Sequence, residues 1–245
     1  MPNDTQIPAA RVAIAENDLP SRPWFRFFNS LYNFIGLGAG AVPPTSGGTG
    51  LTTYAAGDLL YAPSANTLAR LAPPGAANAS YLGTDGTNMP QWIQVAYGQF
   101  LDTTNQTIAA NTPTPITFNT TVYDTHVSIG TPTSRIVLAN SGVHNIQFSL
   151  QLANPSAAEE DFVVWLRVNG TDFPLSGSTV TVQKKHGALD GTYILALNIF
   201  YTFVAGQYFE LCWITTNGNG IIRTIIGTAN YPTSPGVILT VNQVI

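Results

Sequence analysis

Side chains that could do chemistry are few and scattered in this 245-residue sequence. The three histidines, His126, His144 and His186, stand in different predicted elements, and no two of them have the spacing of metal ligands. His144 alternates with apolar residues that we expect to point inward, so we interpret it as a core or subunit-interface residue. We predict no metal site and no cofactor.

The charged runs do not form a catalytic pattern either. The acidic run at residues 159–161 follows Pro155 and lacks the staggered ligand order of a calcium loop, so we expect a solvated turn. The basic run at residues 184–186 is expected to be a solvated hairpin tip. Glycoside hydrolysis needs two opposed carboxylates, and the motifs of nucleophile elbows, phosphate-binding loops and zinc-binding helices do not occur. We therefore predict that the protein is not an enzyme.

The amino-acid composition limits the kinds of molecule that the protein is expected to bind. Charged residues make up 9% of the chain, against about 25% in an average protein. With a net charge of −4 the chain has no basic stripe that could follow phosphates, so nucleic acid is not expected as a partner. The only cysteine, Cys212, lies between Leu211 and Trp213, which predicts a buried, unreactive side chain in a strand.

No membrane segment is predicted. No apolar stretch approaches the roughly 20 residues that span a bilayer, and the first residues lack the charged-then-apolar order of a signal peptide. We expect no membrane insertion and folding in the cytoplasm where the chain is made.

If the protein acts by recognition, its loops are the expected place, because loops carry binding on rigid β-scaffolds. Candidate loops at residues 154–161, 216–220 and 230–235 contain the candidate receptor contacts Asn154, Asn217, Asn219 and Tyr231. An aromatic ring among amides and hydroxyls can stack on a sugar and bind its hydroxyl groups. In the alternative interpretation, Tyr231 packs beside neighbouring prolines and only closes a turn.

The element that would carry these loops is a run of strands beginning near residue 97. Turn signals recur every eight to twelve residues, which is typical of an all-β sandwich. Predicted strands cover residues 98–101, 116–119, 126–129, 135–139, 143–152, 162–168, 179–182, 193–204, 208–215, 221–226 and 237–244. The stretch 193–204 is almost continuously apolar and predicts a central strand. We expect an antiparallel β-sandwich of the jelly-roll type.

An amphipathic helix is predicted between Ser21, as N-cap, and Gly36, as C-terminal stop. Its apolar residues recur at three- and four-residue spacing and form one wide face: Trp24, Phe27, Phe28, Leu31, Phe34 and Ile35. Such a face must be covered, either in an oligomer or docking socket, or by the downstream domain, or at a membrane surface. The first of these is favoured because a proline- and glycine-rich segment follows and only Arg22 and Arg26 are basic. Residues 1–20 are expected to form an extended arm.

Residues 43–92 have too little apolar mass for a domain and too regular a pattern for a linker, although a glycine-rich linker is the alternative. They predict two short hairpins, each with one apolar edge, and isolated hairpins are marginal in water. We expect the edges to pack against copies of themselves, through Leu59, Leu60, Tyr61, Leu68, Leu71 and Trp92.

The order GGTG, GDLLYA, TLARL and PQW between residues 47 and 92 resembles the repeat of tailed-bacteriophage fibre proteins and covers roughly a fifth of the chain. That resemblance implies a slender trimeric neck between a virion attachment segment and a distal head. The sequence PSRPWFRFF resembles an N-terminal element of phage structural proteins.

A second resemblance concerns the sandwich. GVHNIQFSL from Gly142, VWLRVNG ending at Gly170 and VAGQYFEL around Gly206 resemble strands of complement and tumour-necrosis-factor-like jelly rolls, which also cap phage fibres. His144 departs from the aromatic residue of that pattern. The resemblance implies a compact trimer around a hydrophobic axis.

We therefore expect three parts: an attachment arm and helix (1–36), a hairpin neck (37–96) and a sandwich head (97–245). The predicted function is a homotrimeric tail fibre of a phage virion, assembled in the bacterial cytoplasm. It would attach to another virion protein by its N-terminus and bind a host cell-surface glycan. The alternatives are a capsid decoration or head-fibre protein and a depolymerising tailspike.

Overall fold

The structure is a computed structural model that describes residues 12–17, 19–34, 42, 44, 48–75 and 80–244. The chain divides into two compact units, Met1–Gln94 and Val95–Ile245. In the described part of the chain, no helix has the length and apolar character needed to cross a membrane.

Among its described residues, the first unit has one helix and three two-stranded antiparallel pairs. Its elements are β1 (Ala15–Glu16), β2 (Leu19–Pro20), α1 (Arg22–Phe34), β3 (Leu59–Ser64), β4 (Thr67–Leu71), β5 (Ser80–Thr84) and β6 (Pro90–Gln94). β1 pairs with β2, β3 with β4, and β5 with β6. The predicted helix and both predicted hairpins are therefore present.

The start of α1 is fixed by the chain before it. The Ser21 carbonyl accepts the first helical hydrogen bond from the Phe25 amide at 2.8 Å. Ser21 therefore stands at the predicted N-cap position, and its hydroxyl donates to the Ala13 carbonyl at 2.5 Å. The Trp24 indole donates to the Val12 carbonyl at 3.1 Å. The described end of the arm is thus a tight turn tied to the helix, whereas the predicted stop at Gly36 lies outside the described residues.

Residues that favour tight turns close the two hairpins. Asn66, with a φ of 58°, occupies the left-handed position of the β3–β4 turn, which asparagine tolerates better than most residues. In the β5–β6 turn the Asp85 carboxylate accepts the amides of Thr87 at 2.8 Å and Met89 at 2.9 Å. Hydrogen bonds, led by that from the Thr87 hydroxyl, lower the pKa of Asp85.

The second unit contains fourteen strands or short strand segments. They are β7 (Tyr97–Asp102), β8 (Gln106–Thr107), β9 (Thr114–Pro115), β10 (Thr120–Thr125), β11 (Val127–Ile129), β12 (Ile136–Leu138), β13 (Gly142–Asn154), β14 (Glu160–Val168), β15 (Thr171–Asp172), β16 (Ser178–Val182), β17 (Gly191–Phe203), β18 (Tyr208–Thr215), β19 (Ile221–Ile222) and β20 (Val237–Gln243).

These strands form two antiparallel sheets. The first has the order β10-β7-β20-β13-β19-β8, with β17 also paired to β13; the second has the order β11-β12-β18-β14-β15, with β16 on β14 and β9 on β18. Neighbouring strands are mostly distant in sequence because the chain crosses repeatedly between the sheets. This order is that of a jelly roll and confirms the predicted all-β sandwich.

The core lies between the two sheets and follows the alternation of the strands. In β13 the buried set is His144, Ile146, Phe148, Leu150 and Leu152, each less than 5% exposed, as the sequence pattern predicts. Across from it, Phe162 and Trp213 stack with their ring centroids 6.0 Å apart. This unit therefore buries a complete hydrophobic core of its own.

The prediction that residues 193–204 form a central strand is wrong. β17 pairs only with β13 among the described strands, and Ile194 and Phe200 are 61% and 57% exposed. An unbroken apolar run indicates two covered faces, but it cannot tell a face covered by the same chain from one left for a partner. Elsewhere, residues 116–119 do not form the predicted strand, and the predicted strand at 221–226 is shortened to β19. The strands β8, β9, β10 and β15 were not predicted.

Candidate functional site

The second unit has two ends that β13 connects. At its first end, His144 pairs with Gln243, whose amide donates to the Ala96 carbonyl at 2.7 Å. Asn154 is ten residues further along β13, roughly 33 Å away for an extended strand. The loops near Asn154 are therefore at the end opposite to the residues where the chain begins this unit.

A buried carboxylate organises the loops at that far end. The Glu160 side chain is 0% exposed and accepts the Asn217 amide at 2.6 Å and the Thr216 hydroxyl at 3.2 Å. Its second oxygen accepts the Asn219 amide at 3.3 Å. The expected solvated turn at residues 159–161 is thus wrong, because Glu160 is the first residue of β14 and satisfies the backbone of the neighbouring loop.

Asn154 is also a buried polar side chain that hydrogen-bonds the backbone of neighbouring loops. It is 0% exposed; its amide nitrogen donates to the Ala158, Val182 and Gln183 carbonyls. Its side-chain oxygen accepts the Ser156 amide at 3.0 Å. A fully buried side chain offers no surface to a receptor, so Asn154 fixes the loop after β13 and is no longer a contact candidate.

Further hydrogen bonds join four loops into one surface, the distal loop cluster, formed by residues 109–111, 155–159, 183–186 and 216–219. The Asn111 amide donates to the Thr215 carbonyl at 2.8 Å, and the Lys185 amide donates to the Ser156 carbonyl at 2.9 Å. Asn217 and Asn219, two of the predicted contacts, are exposed within it. Asn111 and Lys185 were missed because no local pattern links them to residues so far along the chain.

Tyr231 belongs to a separate protruding loop. Ile225 and Ser234 exchange backbone hydrogen bonds, and the Thr228 amide donates to the Tyr231 carbonyl at 2.9 Å, which closes a small hairpin. The Tyr231 side chain is 49% exposed. It is therefore available for contact, but it is not part of the distal loop cluster.

The outer surface of the first sheet, here called the sheet face, has no charged side chain on its central strands. Strand register places its outward residues in rows across β7, β20, β13 and β17. They are Tyr97, Gln99 and Leu101; Ile238, Thr240 and Asn242; Asn145, Gln147 and Ser149; and Ala196, Asn198 and Phe200. A shallow groove of about 440 Å³ runs between Gln147, Ala196 and Ile238. This surface combines apolar area with uncharged hydrogen-bonding groups.

The predicted anchoring residues lie on an uncovered helix face. Trp24, Phe27 and Phe28 contact one another with ring centroids 5.6 to 5.9 Å apart. Phe28 is 46% exposed and Leu31 is 40% exposed. The side chains of Phe34 and Ile35 lie outside the described part. Phe25 and Tyr32, which the three- and four-residue spacing did not select, are 60% and 49% exposed, so apolar surface extends around more of the helix than predicted.

The predicted neck residues are divided between exposed and half-buried positions. Leu59 and Leu60 are 39% and 45% exposed, while Tyr61, Leu68, Leu71 and Trp92 are half-buried. The Trp92 indole donates to the Ala72 carbonyl at 2.7 Å and so joins the second hairpin to the end of the first. Leu82, 50% exposed, lies directly across from Trp92 in the β5–β6 pair.

His144 and Cys212, whose side chains are of types that often take part in chemistry, are both buried. His144 is 0% exposed, its Nδ1 is 3.1 Å from the Gly142 carbonyl oxygen, and its ring meets the edge of Phe203. Burial lowers the pKa of His144, and its Nε2 has no hydrogen-bond partner among the described residues. Cys212 is buried in β18, as predicted, and burial raises the pKa of its thiol to about 12.

No family model matches the chain, and no curated protein matches it. Among solved structures it is similar to two crystal structures of murine APRIL, determined at pH 8.0 and pH 8.5. These are 9% and 8% identical, with TM-scores of 0.40 and 0.39, and each likeness covers 62% of this chain and 100% of that chain. By strand order and sheet pairing, the second unit is an antiparallel jelly roll.

Proposed function

We propose that the protein is a non-enzymatic, homotrimeric fibre of a tailed-phage virion that attaches by its N-terminus and binds a host-surface glycan through its head. The observation that carries the proposal is the distribution of apolar surface. The jelly roll has a complete core, yet the helix face, both hairpin edges and β17 remain uncovered. Each of these surfaces needs a partner, and they lie along one chain in the order attachment, neck and head.

Trimerisation rests on the sheet face and on the neck. An uncharged surface rich in Tyr, Phe, Ile and amides can be buried without leaving an unpaired charge. The hairpins have almost no buried apolar side chains of their own, so association of three copies would supply the apolar contacts that each lacks. Three heads held together also multiply weak glycan contacts into useful avidity.

Adhesion is assigned to the far end of the jelly roll. Its loops are held rigidly by Glu160 and Asn154, while Asn217 and Asn219 remain exposed beside them. Rigid loops bind at a lower entropic cost than mobile ones. The distance of roughly 33 Å along β13 separates these loops from the beginning of the unit.

The oligomeric state is tested by multi-angle light scattering of the purified full chain. We expect a trimer for the wild type and a monomer for Phe200→Glu, because the new charge on the sheet face would be buried at the interface. Leu175→Glu is the matched control, since Leu175 is fully exposed outside that face, and it should stay trimeric. A monomeric wild type would refute the trimer.

Attachment is tested by deleting residues 1–35 and measuring incorporation into virions. The truncated protein should be absent from purified particles but still trimeric in solution. Normal incorporation would show that the helix is not the anchor. Immunogold labelling of the wild type should mark the tail; labelling of capsid faces or vertices would establish the decoration function instead.

The absence of catalysis is also part of the proposal. Incubation with host polysaccharide should leave its chain length unchanged and release no reducing sugar. Release that depends on the folded head would establish the depolymerising tailspike.

A further inference from the structure

A cleft at the far end of the first sheet stands apart from the residues that the sequence selected. Its floor is β13 at Gln151 and Ala153, and its walls are Thr192 and Ile194 of β17 on one side and Arg223 and Ile225 on the other. The volume is about 220 Å³. This is below the roughly 300–1,000 Å³ of sites for drug-sized ligands and suits a ligand the size of one sugar ring.

The walls are joined by an ion pair. Arg223, which follows β19, places Nη2 2.5 Å from Oδ2 of Asp190, which precedes β17. Both side chains are only about a quarter exposed, at 28% and 24%. The Arg223 amide donates to the Gln151 carbonyl at 2.8 Å, which holds the arginine backbone against the floor strand. A fixed guanidinium and a fixed carboxylate therefore meet at the edge of the cleft.

The remaining lining supplies the other groups that saccharides use. Ile194, 61% exposed, and Ile225, 42% exposed, give the cleft two apolar walls. Thr192 and Gln151 add a hydroxyl and a carboxamide. Apolar side chains pack on the C–H surface of sugar rings, while paired donors and acceptors bind vicinal hydroxyl groups.

The charge balance of the cleft indicates which class of sugar it would bind. The arginine is neutralised by Asp190, so the cleft holds no uncompensated cation for a sialic or uronic acid carboxylate. The cleft is also at the end of β13 that carries Asn154, far from the residues where the chain begins the head. We propose that this cleft binds one neutral hexose or N-acetylhexosamine residue of the host glycan, an inference that rests on the adhesive function proposed above.

The test is saturation-transfer difference NMR on the full-length protein, with the methyl glycosides of glucose, galactose, mannose and N-acetylglucosamine as probes. At least one should give ring-proton signals with the wild type. Thr192→Trp, which fills the cleft, and the double substitution Asp190→Ala with Arg223→Ala should each reduce affinity about tenfold or more, as expected for lost charged hydrogen bonds. The double substitution leaves no unpaired charge behind.

Controls separate the cleft from other surfaces. Leu175→Trp adds the same bulk at an exposed site outside the cleft and should bind as the wild type does. Circular dichroism melting curves verify that every variant is folded. No signal from any probe with the wild type, or undiminished signals with Thr192→Trp, would overturn the cleft as the site. Dissociation of trimers by Thr192→Trp would also overturn it, because the cleft would then be covered by a second copy.

The same variants distinguish this inference from the function on which it rests. If wild-type protein adheres to host cells and the cleft variants adhere equally well, adhesion stands and the cleft assignment falls. If the wild type does not adhere, the adhesive function itself fails.

Discussion

The two units of this chain differ in how much of their apolar surface they bury. Every buried apolar residue in the described part of the chain lies at Ala96 or beyond, whereas the helix and hairpins before it expose Phe28, Leu60 and Leu82. The jelly roll is stabilised by contacts within one copy. The hairpins and helix have regular backbone hydrogen bonds but bury little apolar area, so we expect their stability to depend on association. The difference shows that regular hydrogen bonding alone does not make a segment self-sufficient.

Separating the two units should have the largest effect. A fragment of residues 95–245 is expected to keep a cooperative thermal transition, because its core is internal. A fragment of residues 1–94 is expected to lose its strand signal when diluted below the concentration at which it associates. Circular dichroism over a dilution series measures both. A concentration-independent transition for residues 1–94 would show that this unit is stable as a single copy.

Single truncations should sharpen the contrast. Phe162→Ala removes a fully buried ring stacked on Trp213 and should lower the free energy of unfolding of the head by about 3–5 kcal/mol. Leu60→Ala, at a residue 45% exposed, should leave the melting of the head unchanged and weaken trimers. Chemical denaturation and light scattering measure the two effects. The contrast between the units disappears if Leu60→Ala destabilises the head as much as Phe162→Ala does.

A smaller effect is expected at the polar centre of the far end. Glu160→Gln replaces an acceptor of three hydrogen bonds with a group that has one acceptor oxygen, so the unfolding free energy should fall by about 1.5–3 kcal/mol. Asp161→Asn is the matched neighbour and should cost less, because Asp161 accepts one side-chain bond from Thr181 at a partly exposed position. Equal losses would show that Glu160 does not organise the loops.

The smallest effect is expected on the stability of the protein at acidic pH. Burial lowers the pKa of His144 in the folded protein below its unfolded value near 6.5, so the unfolded state binds the proton more readily. The contribution of neutral His144 is fully present above pH 6.5 and is lost as the pH falls from there towards the lowered pKa. Denaturation midpoints between pH 7 and pH 5 should therefore fall less for His144→Phe than for the wild type. An identical pH profile would contradict this assignment.

Local patterns predicted much of the fold because their causes are local. The alternation of β13 predicts its buried set, and Asp85 and Asn66 sit where turn chemistry requires them. The same reasoning failed at β17, whose apolar run is continuous although one side is exposed. Short segments such as β8 and β15 were missed because two residues carry no period; only pairing with a distant strand makes them extended.

The candidate site likewise contains residues that local sequence could predict and residues whose position depends on distant contacts. Asn217, Asn219 and Tyr231 could be selected as exposed loop residues from composition alone, whereas Asn154 has the same residue type and is buried. Its burial depends on carbonyl groups of residues 158, 182 and 183, which only the folding of distant strands brings together. Asp190 and Arg223 likewise become partners through the sheet.

The sequence by itself determined the strand-rich class, the single amphipathic helix, the two hairpins and the inward set of the main strand, because each follows from spacing between near neighbours. Tertiary structure alone decided the strand order of the two sheets, the edge position of β17, the burial of Glu160 and the cleft between Asp190 and Arg223. These depend on contacts between residues far apart in the chain, which spacing between near neighbours does not encode.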